Sequence, residues 1–386
     1  MARRPVRWGI IGCGLMGREI ATALLRYVHL TGTEAAPEVV AVSDINPASM
    51  RWFEENLPSV RQATRDYHEL LANPEVDAVY CAVPHHLHQQ MYIDIIRANK
   101  ALLAEKPFGI DEAANQAILQ EVSSHPQVLV RCSSELPYFP GAVALAERVR
   151  SGQLGRIIEA EAGFWHASDL DPNKVINWKR QSLTNGAYGC LGDLGLHVVH
   201  VPMRLGWHFE TVYAQLSNIV WERPSADGAM VLCDTWDNAD LAVTASDQGQ
   251  TFPLRLSTKR IAPGQQNTWF IRVVGMNGAV AFSTKFPKTL ETLTYTPGSA
   301  QAWQQQDLPY RSVYPTITGP IFEFGFSDAI LQMMAAFSEE FLGHPPALWA
   351  CVTPEETRRS HRLFTAALAS HESGCAVALD EGSAHG

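Results

Sequence analysis

One hexapeptide constrains this chain more than any other: Gly12-Cys13-Gly14-Leu15-Met16-Gly17, directly after an apolar run at 8–11 and ahead of a helix-like segment at 18–27. The pattern G-x-G-x-x-G carries meaning only between a strand and a helix, and that context is present here. Gly12 permits a tight turn, Gly14 lets the backbone approach a pyrophosphate, and Gly17 lets helix and strand meet closely. Leu15 and Met16 open the helix, whose N-terminus then faces the anion. Further apolar runs at 39–42, 78–82, 101–104 and 128–130 alternate with helix-like segments at 47–56, 86–99 and 111–124. Continuous apolar runs fit strands buried on both faces of a parallel sheet. Residues 1–132 are therefore expected to form an α/β Rossmann domain, a doubly wound parallel sheet that binds a dinucleotide.

Asp44 stands at the end of the second run. A carboxylate there accepts hydrogen bonds from the ribose hydroxyls of NAD and repels the 2′-phosphate of NADP, so NAD is the expected cofactor and NADP the less favoured one. The interval before Asp44 is longer than the usual spacing of about 20 residues, and 29–38 reads as an inserted loop. Two further segments follow. Glu105-Lys106-Pro107 follows the apolar run at 101–104; the residue before a proline is pushed to extended geometry, which places Lys106 at the carboxyl end of its strand. Open α/β sheets bind ligands at that edge. Pro84, His85 and His88 sit just after the apolar run at 78–82.

Composition bounds the rest. The chain has 386 residues, which at about 150 residues per domain suggests two domains. Its net charge of −10 argues against a general nucleic-acid binder, which needs a basic face for phosphates. No apolar run approaches the roughly 20 residues that span a bilayer, and no signal peptide is read at the N-terminus. Seven scattered cysteines without a C-x-x-C pair fit a reducing cytoplasm. No membrane or nucleic-acid partner is expected.

After residue 132 the pattern changes. Strand-like segments recur at 157–165, 212–220, 230–235, 241–245, 254–257, 270–274 and 279–282, with Met276-Asn277-Gly278 as a hairpin turn and late helices at 328–342 and 354–370. Residues 133–386 are expected to form an α+β domain with a large open, mainly antiparallel sheet. Within it Gly192-Asp193-Leu194-Gly195-Leu196-His197 reads as helix, and Asp193 and His197, four apart, share a face. A histidine held by a carboxylate makes a general base near neutral pH. Alone, the D-x-x-x-H pair reads mostly as a helix-capping Asp and a packed His.

Together, Gly12-x-Gly14-x-x-Gly17, Val83-Pro84-His85-x-x-His88, Glu105-Lys106-Pro107 and Gly192-Asp193-x-x-x-His197 resemble the Gfo/Idh/MocA oxidoreductase family. This is the glucose-fructose oxidoreductase and inositol dehydrogenase group. Tyr314-Pro315-x-x-x-Gly319 and Glu323-Phe324-Gly325 look like its levoglucosan dehydrogenase branch. The resemblance implies hydride transfer between NAD and a carbinol of a sugar, sugar derivative or polyol. It implies His197 as base, Asp193 as its orienting partner and Lys106 as stabiliser of the alkoxide. It also implies cofactor contacts from Gly12 to Gly17 and from Asp44, Pro84, His85, His88, Glu105 and Lys106, and a homodimer or homotetramer joined through the open sheet. Trp178 and Lys179 resemble the family's tryptophan-plus-basic substrate loop, where Arg usually follows the Trp; a loop pinned to its domain by the Trp is the competing reading. Tyr188 is a further substrate-pocket candidate. His200 departs from the family, which often has a carboxylate there. Asp193, His197 and His200 have the spacing of metal ligands but bring no recognisable fourth ligand, so no metal is expected. Two other functions remain open: an NAD-using glycoside hydrolase with transient ring oxidation, and a non-catalytic nucleotide sensor.

Overall fold

The structure is a computed structural model, and it describes residues 3–308, 312–345 and 349–379. The chain divides into two compact units. The first comprises Met1–Gly109, Ala113–Tyr138 and Arg311–Thr357; the second comprises Ile110–Glu112, Phe139–Tyr310 and Arg358–Gly386.

The first unit is built on six parallel strands: β1 (Arg4–Ile11), β2 (Ala35–Ser43), β3 (Gln62–Thr64), β4 (Ala78–Cys81), β5 (Ala101–Ala104) and β6 (Val130–Cys132). Their spatial order is β3-β2-β1-β4-β5-β6. Strand order reverses between β1 and β4, the switch point at which such sheets bind ligands. The helices α1 (Leu15–Leu25), α2 (Pro47–Asn56), α3 (Tyr67–Ala72), α4 (His88–Arg97) and α5 (Glu112–Ser124) alternate with the strands. Asn46 caps α2 by accepting the Ala48 N–H, and Pro47 fills its first turn. The expected loop at 29–38 is shorter than read, because β2 begins at Ala35. The outer end of β2, despite Pro37 and Glu38, is held in register with Arg4–Arg7 of β1.

A later stretch completes this unit. Helix α9 (Phe326–Phe341) presents Glu339, whose carboxylate accepts the backbone N–H groups of Glu34 and Ala35, both at 2.9 Å. Phe337 stacks at a tilt on Trp8 of β1, and Leu30 bridges to Thr316. The sequence reading divided the chain once, at 132/133. In the structure the break follows Tyr138, and Arg311–Thr357 returns to the first unit. The apolar face of α9 fits against α1 and β2, a destination its own sequence does not advertise.

The second unit is an α+β layer structure. Its nine-stranded sheet runs β16-β15-β14-β13-β7-β12-β11-β8-β17. In chain order these are β7 (Ile157–Trp165), β8 (His208–Ser217), β11 (Asn238–Asp247), β12 (Gln250–Lys259), β13 (Thr268–Gly275), β14 (Gly278–Ser283), β15 (Thr289–Thr294), β16 (Gln304–Asp307) and β17 (Val377–Ala378). All neighbours are antiparallel except β7 and β12. A small hairpin, β9 (Glu222–Pro224) with β10 (Met230–Leu232), stands apart from the sheet. Helices α6 (Pro140–Arg150) and α8 (Cys190–Arg204) cover the sheet; α7 (Ser182–Asn185) precedes α8, and α10 (Pro354–Ser373) comes late in the chain. Strand β8 alternates buried and exposed residues, the signature of a sheet with one covered face.

Candidate active site

The glycine turn takes the shape its sequence demands. Gly12 has φ +95°, and a Cβ there would collide with the Ala82 carbonyl oxygen on the loop after β4. Its N–H donates to Ser43 at 2.9 Å, which ties the turn to the end of β2. Gly14 is different: a Cβ placed there meets nothing within 4 Å. The space above Gly14, at the N-terminus of α1, is therefore open to a ligand's phosphates, and these residues fit an NAD pyrophosphate. Leu15 and Ile45 are apolar yet 83% and 80% exposed beside this turn and the end of β2, and Met16 is half-buried. Asp44 accepts the Cys13 N–H and the Asn46 N–H, each at 2.8 Å and on different oxygens. It thus braces the glycine turn while keeping lone pairs for ribose hydroxyls.

Lys106 follows β5 as expected, and a buried polar node supports its backbone. Glu105 accepts the Tyr80 hydroxyl at 2.6 Å and the Ser133 hydroxyl at 2.7 Å through one oxygen. Its other oxygen accepts the Lys106 N–H at 3.3 Å, and its carbonyl accepts the Tyr92 hydroxyl at 2.7 Å. His88 is fully buried and stacked on Tyr92. Its Nδ1 lies 2.7 Å from the Pro107 carbonyl and its Nε2 lies 2.9 Å from the Val83 carbonyl. Burial holds the His88 pKa below its ordinary value. The His88 ring thus lies between the loop after β4, where Pro84 is half-buried and His85 buried, and the loop carrying Lys106, with one N–H to donate when neutral. Glu135 is a buried acid the sequence reading did not single out. Burial, and then the neighbouring Glu105 charge, raise its pKa to about 7.

In the second unit α8 presents the expected pair. Every residue from Cys190 to Met203 is buried, so this helix lies inside the unit. Its start is set by Gly189 at φ +55°, where a Cβ would press on the Trp236 backbone. His197 is 3% exposed; Phe164 of β7 meets its ring edge-on, with centroids 5.5 Å apart. The Trp269 indole N–H donates to the His197 carbonyl at 2.9 Å and anchors the helix to β13. Asp193, 5% exposed, accepts the Lys179 ammonium at 2.9 Å on one oxygen. On the other, the Arg260 guanidinium approaches to 3.3 Å. Trp178 and Lys179 form a short turn capped by Asn177, with the Lys179 ammonium 5.6 Å from the Trp178 ring centre.

The structure thus brings Lys179 and Asp193 into direct contact and sets His197 one helical turn away. Tyr188 is placed against α10: its hydroxyl pairs with Thr365 at 2.8 Å and its ring packs on His361 and Phe364. His200 is fully buried on α8. Lys106 belongs to the first unit, Asp193 and His197 to the second. Among the described residues no three His, Cys, Asp or Glu side chains gather as a metal site. Sequence reasoning also missed Arg260, a single arginine after a strand with no local pattern around it.

Two family profiles match. One, described as an oxidoreductase family with an NAD-binding Rossmann fold, covers residues 6–131; the other, the GFO/IDH/MocA C-terminal domain, covers residues 142–280. The chain belongs to the Gfo/Idh/MocA family. It is an NAD-binding oxidoreductase. Among curated relatives of this family member, levoglucosan dehydrogenase of Pseudarthrobacter phenanthrenivorans is 26% identical over 336 residues, covering 82% of this chain and 81% of the relative. Trans-1,2-dihydrobenzene-1,2-diol dehydrogenase of Mus musculus is 31% identical over 197 residues, covering 50% of this chain and 54% of the relative. The solved structure of levoglucosan dehydrogenase with NADH superposes with a TM-score of 0.85 at 20% identity, covering 97% of this chain and 99% of that one. That likeness establishes the shared fold.

The open space at Gly14 sets one expectation. Gly14→Ala changes stability by no more than about 0.5 kcal/mol but weakens NADH binding at least about tenfold, measured by fluorescence titration. Gly12→Ala destabilises by about 2 kcal/mol or more because of its positive φ and the carbonyl it would meet. Wild-type affinity in Gly14→Ala would remove the turn as the pyrophosphate seat.

Glu135 sets another. The folded protein holds this proton up to about pH 7, whereas the unfolded chain releases it near the ordinary value of 4.5. Between those values the folded state binds more protons, so this group lowers stability as pH rises through the window. Glu135→Gln is therefore neutral below pH 4.5 and stabilising above pH 7, by up to about 3 kcal/mol. Urea unfolding at pH 5 and pH 8 measures it, and an equal effect at both would contradict it.

Proposed function

We propose that this protein is an NAD-dependent dehydrogenase that oxidises a carbinol of a sugar, sugar derivative or polyol. Its catalytic residues in this reading are Lys106, Asp193 and His197. The observation that carries it is the state of Asp193 on α8: a buried carboxylate gripped by Lys179 and Arg260, one turn from a buried histidine. A carboxylate so held cannot swing away, which suits a group serving an imidazole. NAD, when bound, supplies the acceptor for the hydride. His197 takes the proton of the substrate hydroxyl, and Asp193 stabilises the imidazolium that results. Lys106 places an ammonium at the developing alkoxide and takes part in moving the proton onward. Trp178 offers an apolar ring face to a sugar ring, and Lys179 offers donors to its hydroxyls. The dehydrogenases of levoglucosan and of dihydrobenzenediol among the relatives support a cyclic hydroxylated substrate.

The seven cysteines, all free and six of them buried, support a reducing compartment such as the cytoplasm. We infer a homodimer or homotetramer joined through the exposed face of the nine-stranded sheet, where β8 shows exposed residues, Tyr213 among them, at alternate positions. Light scattering is expected to return a multiple of the 42.6 kDa chain mass, and a monomer at micromolar concentration would refute the assembly.

A screen of levoglucosan, D-xylose, D-glucose, myo-inositol and trans-dihydrobenzenediol for NADH formation tests the reaction. Turnover of at least one is expected, with Lys106→Ala lowering kcat by about 10²–10⁴-fold. Undiminished turnover in Lys106→Ala would sink its assignment. Cleavage of an aryl glycoside without net NADH would make the protein a glycoside hydrolase instead.

A further inference from the structure

The buried Arg260 is held in place by the second unit and in turn holds the residues around Asp193. It follows β12 directly, and its side chain is 2% exposed. Its backbone N–H donates to the Asp237 carbonyl at 3.0 Å, and its carbonyl accepts the Asp169 N–H at 3.3 Å, so the base of the side chain is fixed from both sides. The guanidinium then reaches three separate segments. Nη1 donates to the Lys179 carbonyl at 3.0 Å. Nη2 donates to the Asn185 side-chain oxygen at 3.3 Å and to the Gly189 carbonyl at 3.4 Å. Nε donates to Asp193 at 3.4 Å, with Nη2 at 3.3 Å from the same oxygen.

We propose that Arg260 is a positioning residue for the Asp193 carboxylate and for the Trp178–Lys179 turn. Its effect on turnover runs through both at once, and this rests on the function proposed above. The chemistry favours a division of labour. Lys179 meets one Asp193 oxygen and Arg260 the other. Lys179, 37% exposed, is the adjustable one. Arg260, planar and out of water, is the fixed one. Without it, Asp193 would lose its fixed cation, and the Lys179 carbonyl would lose one of its donors, beside the Thr235 hydroxyl at 3.0 Å. Lysine cannot stand in fully, because an ammonium has neither the fork nor the reach to serve four acceptors in three segments.

Two measurements on the full chain decide the matter. The first needs no substrate. In thermal melts of Arg260→Gln, Asp193→Asn and the double variant, the double variant should lose clearly less than the sum of the two singles, since the contact between them is removed by either change. Additive losses would overturn the grip on Asp193. Should Arg260→Gln not fold, the cycle is run with Arg260→Lys. The second measurement uses the sugar or diol of the panel above that the wild type oxidises fastest. Arg260→Gln should lower kcat by about 100-fold with the KM for NAD unchanged, and Arg260→Lys should recover part of that loss. A folded Arg260→Gln with kcat within threefold of wild type (about 3 times, well inside the loss expected of misplacement) would overturn the positioning role. A wild type that oxidises none of the panel refutes the proposed function, and the melting cycle still decides the Arg260–Asp193 contact.

Discussion

The second unit depends on keeping arginine side chains charged in the absence of water. Arg180, Arg223 and Arg260 are each 2% exposed or less. Removing a guanidinium from water costs several kcal/mol, and only well-placed acceptors recover that cost. Arg180 finds Asp237 and Asp169; burial works against its charge, but the two carboxylates outweigh it and raise its pKa. Arg223 uses carbonyls instead, those of Asp169 and Asp171. Arg260 mixes both kinds. Asp169 and the 177–180 turn serve more than one of these side chains, so the three arginines are coupled through common partners. Conformational uniqueness in this region comes from that coupling, since apolar packing alone tolerates sliding.

The first unit solves a different problem with similar means. It must leave an opening at the carboxyl edge of the sheet while holding the loops that frame it. The opening is a consequence of missing atoms at Gly14; the frame is a consequence of side chains that point inward. Tyr80, Tyr92 and Ser133 all donate to Glu105, which precedes Lys106, and the His88 ring sits between two loop carbonyls. Lys106 is therefore carried on a rigid base, which suits a group whose value lies in where its charge sits.

What could be read from the chain and what could not follow one physical distinction. The glycine turn, the apolar runs of β1, β2, β4 and β5, and the Asp193–His197 spacing are local patterns, visible within a few residues. The strands β3, β15 and β16 were not visible: Thr289–Thr294 and Gln304–Asp307 are polar and owe their conformation to ladder partners. Strand β6 was expected about two residues early, as 128–130, because its apolar residues begin before its pairing does. Arg260 touches Asp193 across 67 positions of sequence, and no window of the chain contains that contact. His88 was read as a cofactor contact from its place after β4, yet its ring nitrogens are directed at backbone carbonyls. A motif locates a residue along the chain more securely than it says which way the side chain turns.

The return of Arg311–Thr357 to the first unit has a consequence for how the molecule comes into being. Glu339 caps the N–H groups at the start of β2, and Phe337 covers Trp8, yet some 300 positions separate these partners along the chain. During synthesis the six parallel strands leave the ribosome long before the helix that closes them. Until that helix arrives, Trp8 and the outer end of β2 lack the partners that bury and bond them. The sheet is thus assembled early and sealed late, and the segments of the two units alternate along the chain, the second taking both the long stretch Phe139–Tyr310 and the end of the chain from Arg358. Neither unit corresponds to a contiguous stretch of sequence that could be cut out or exchanged with a single pair of joins.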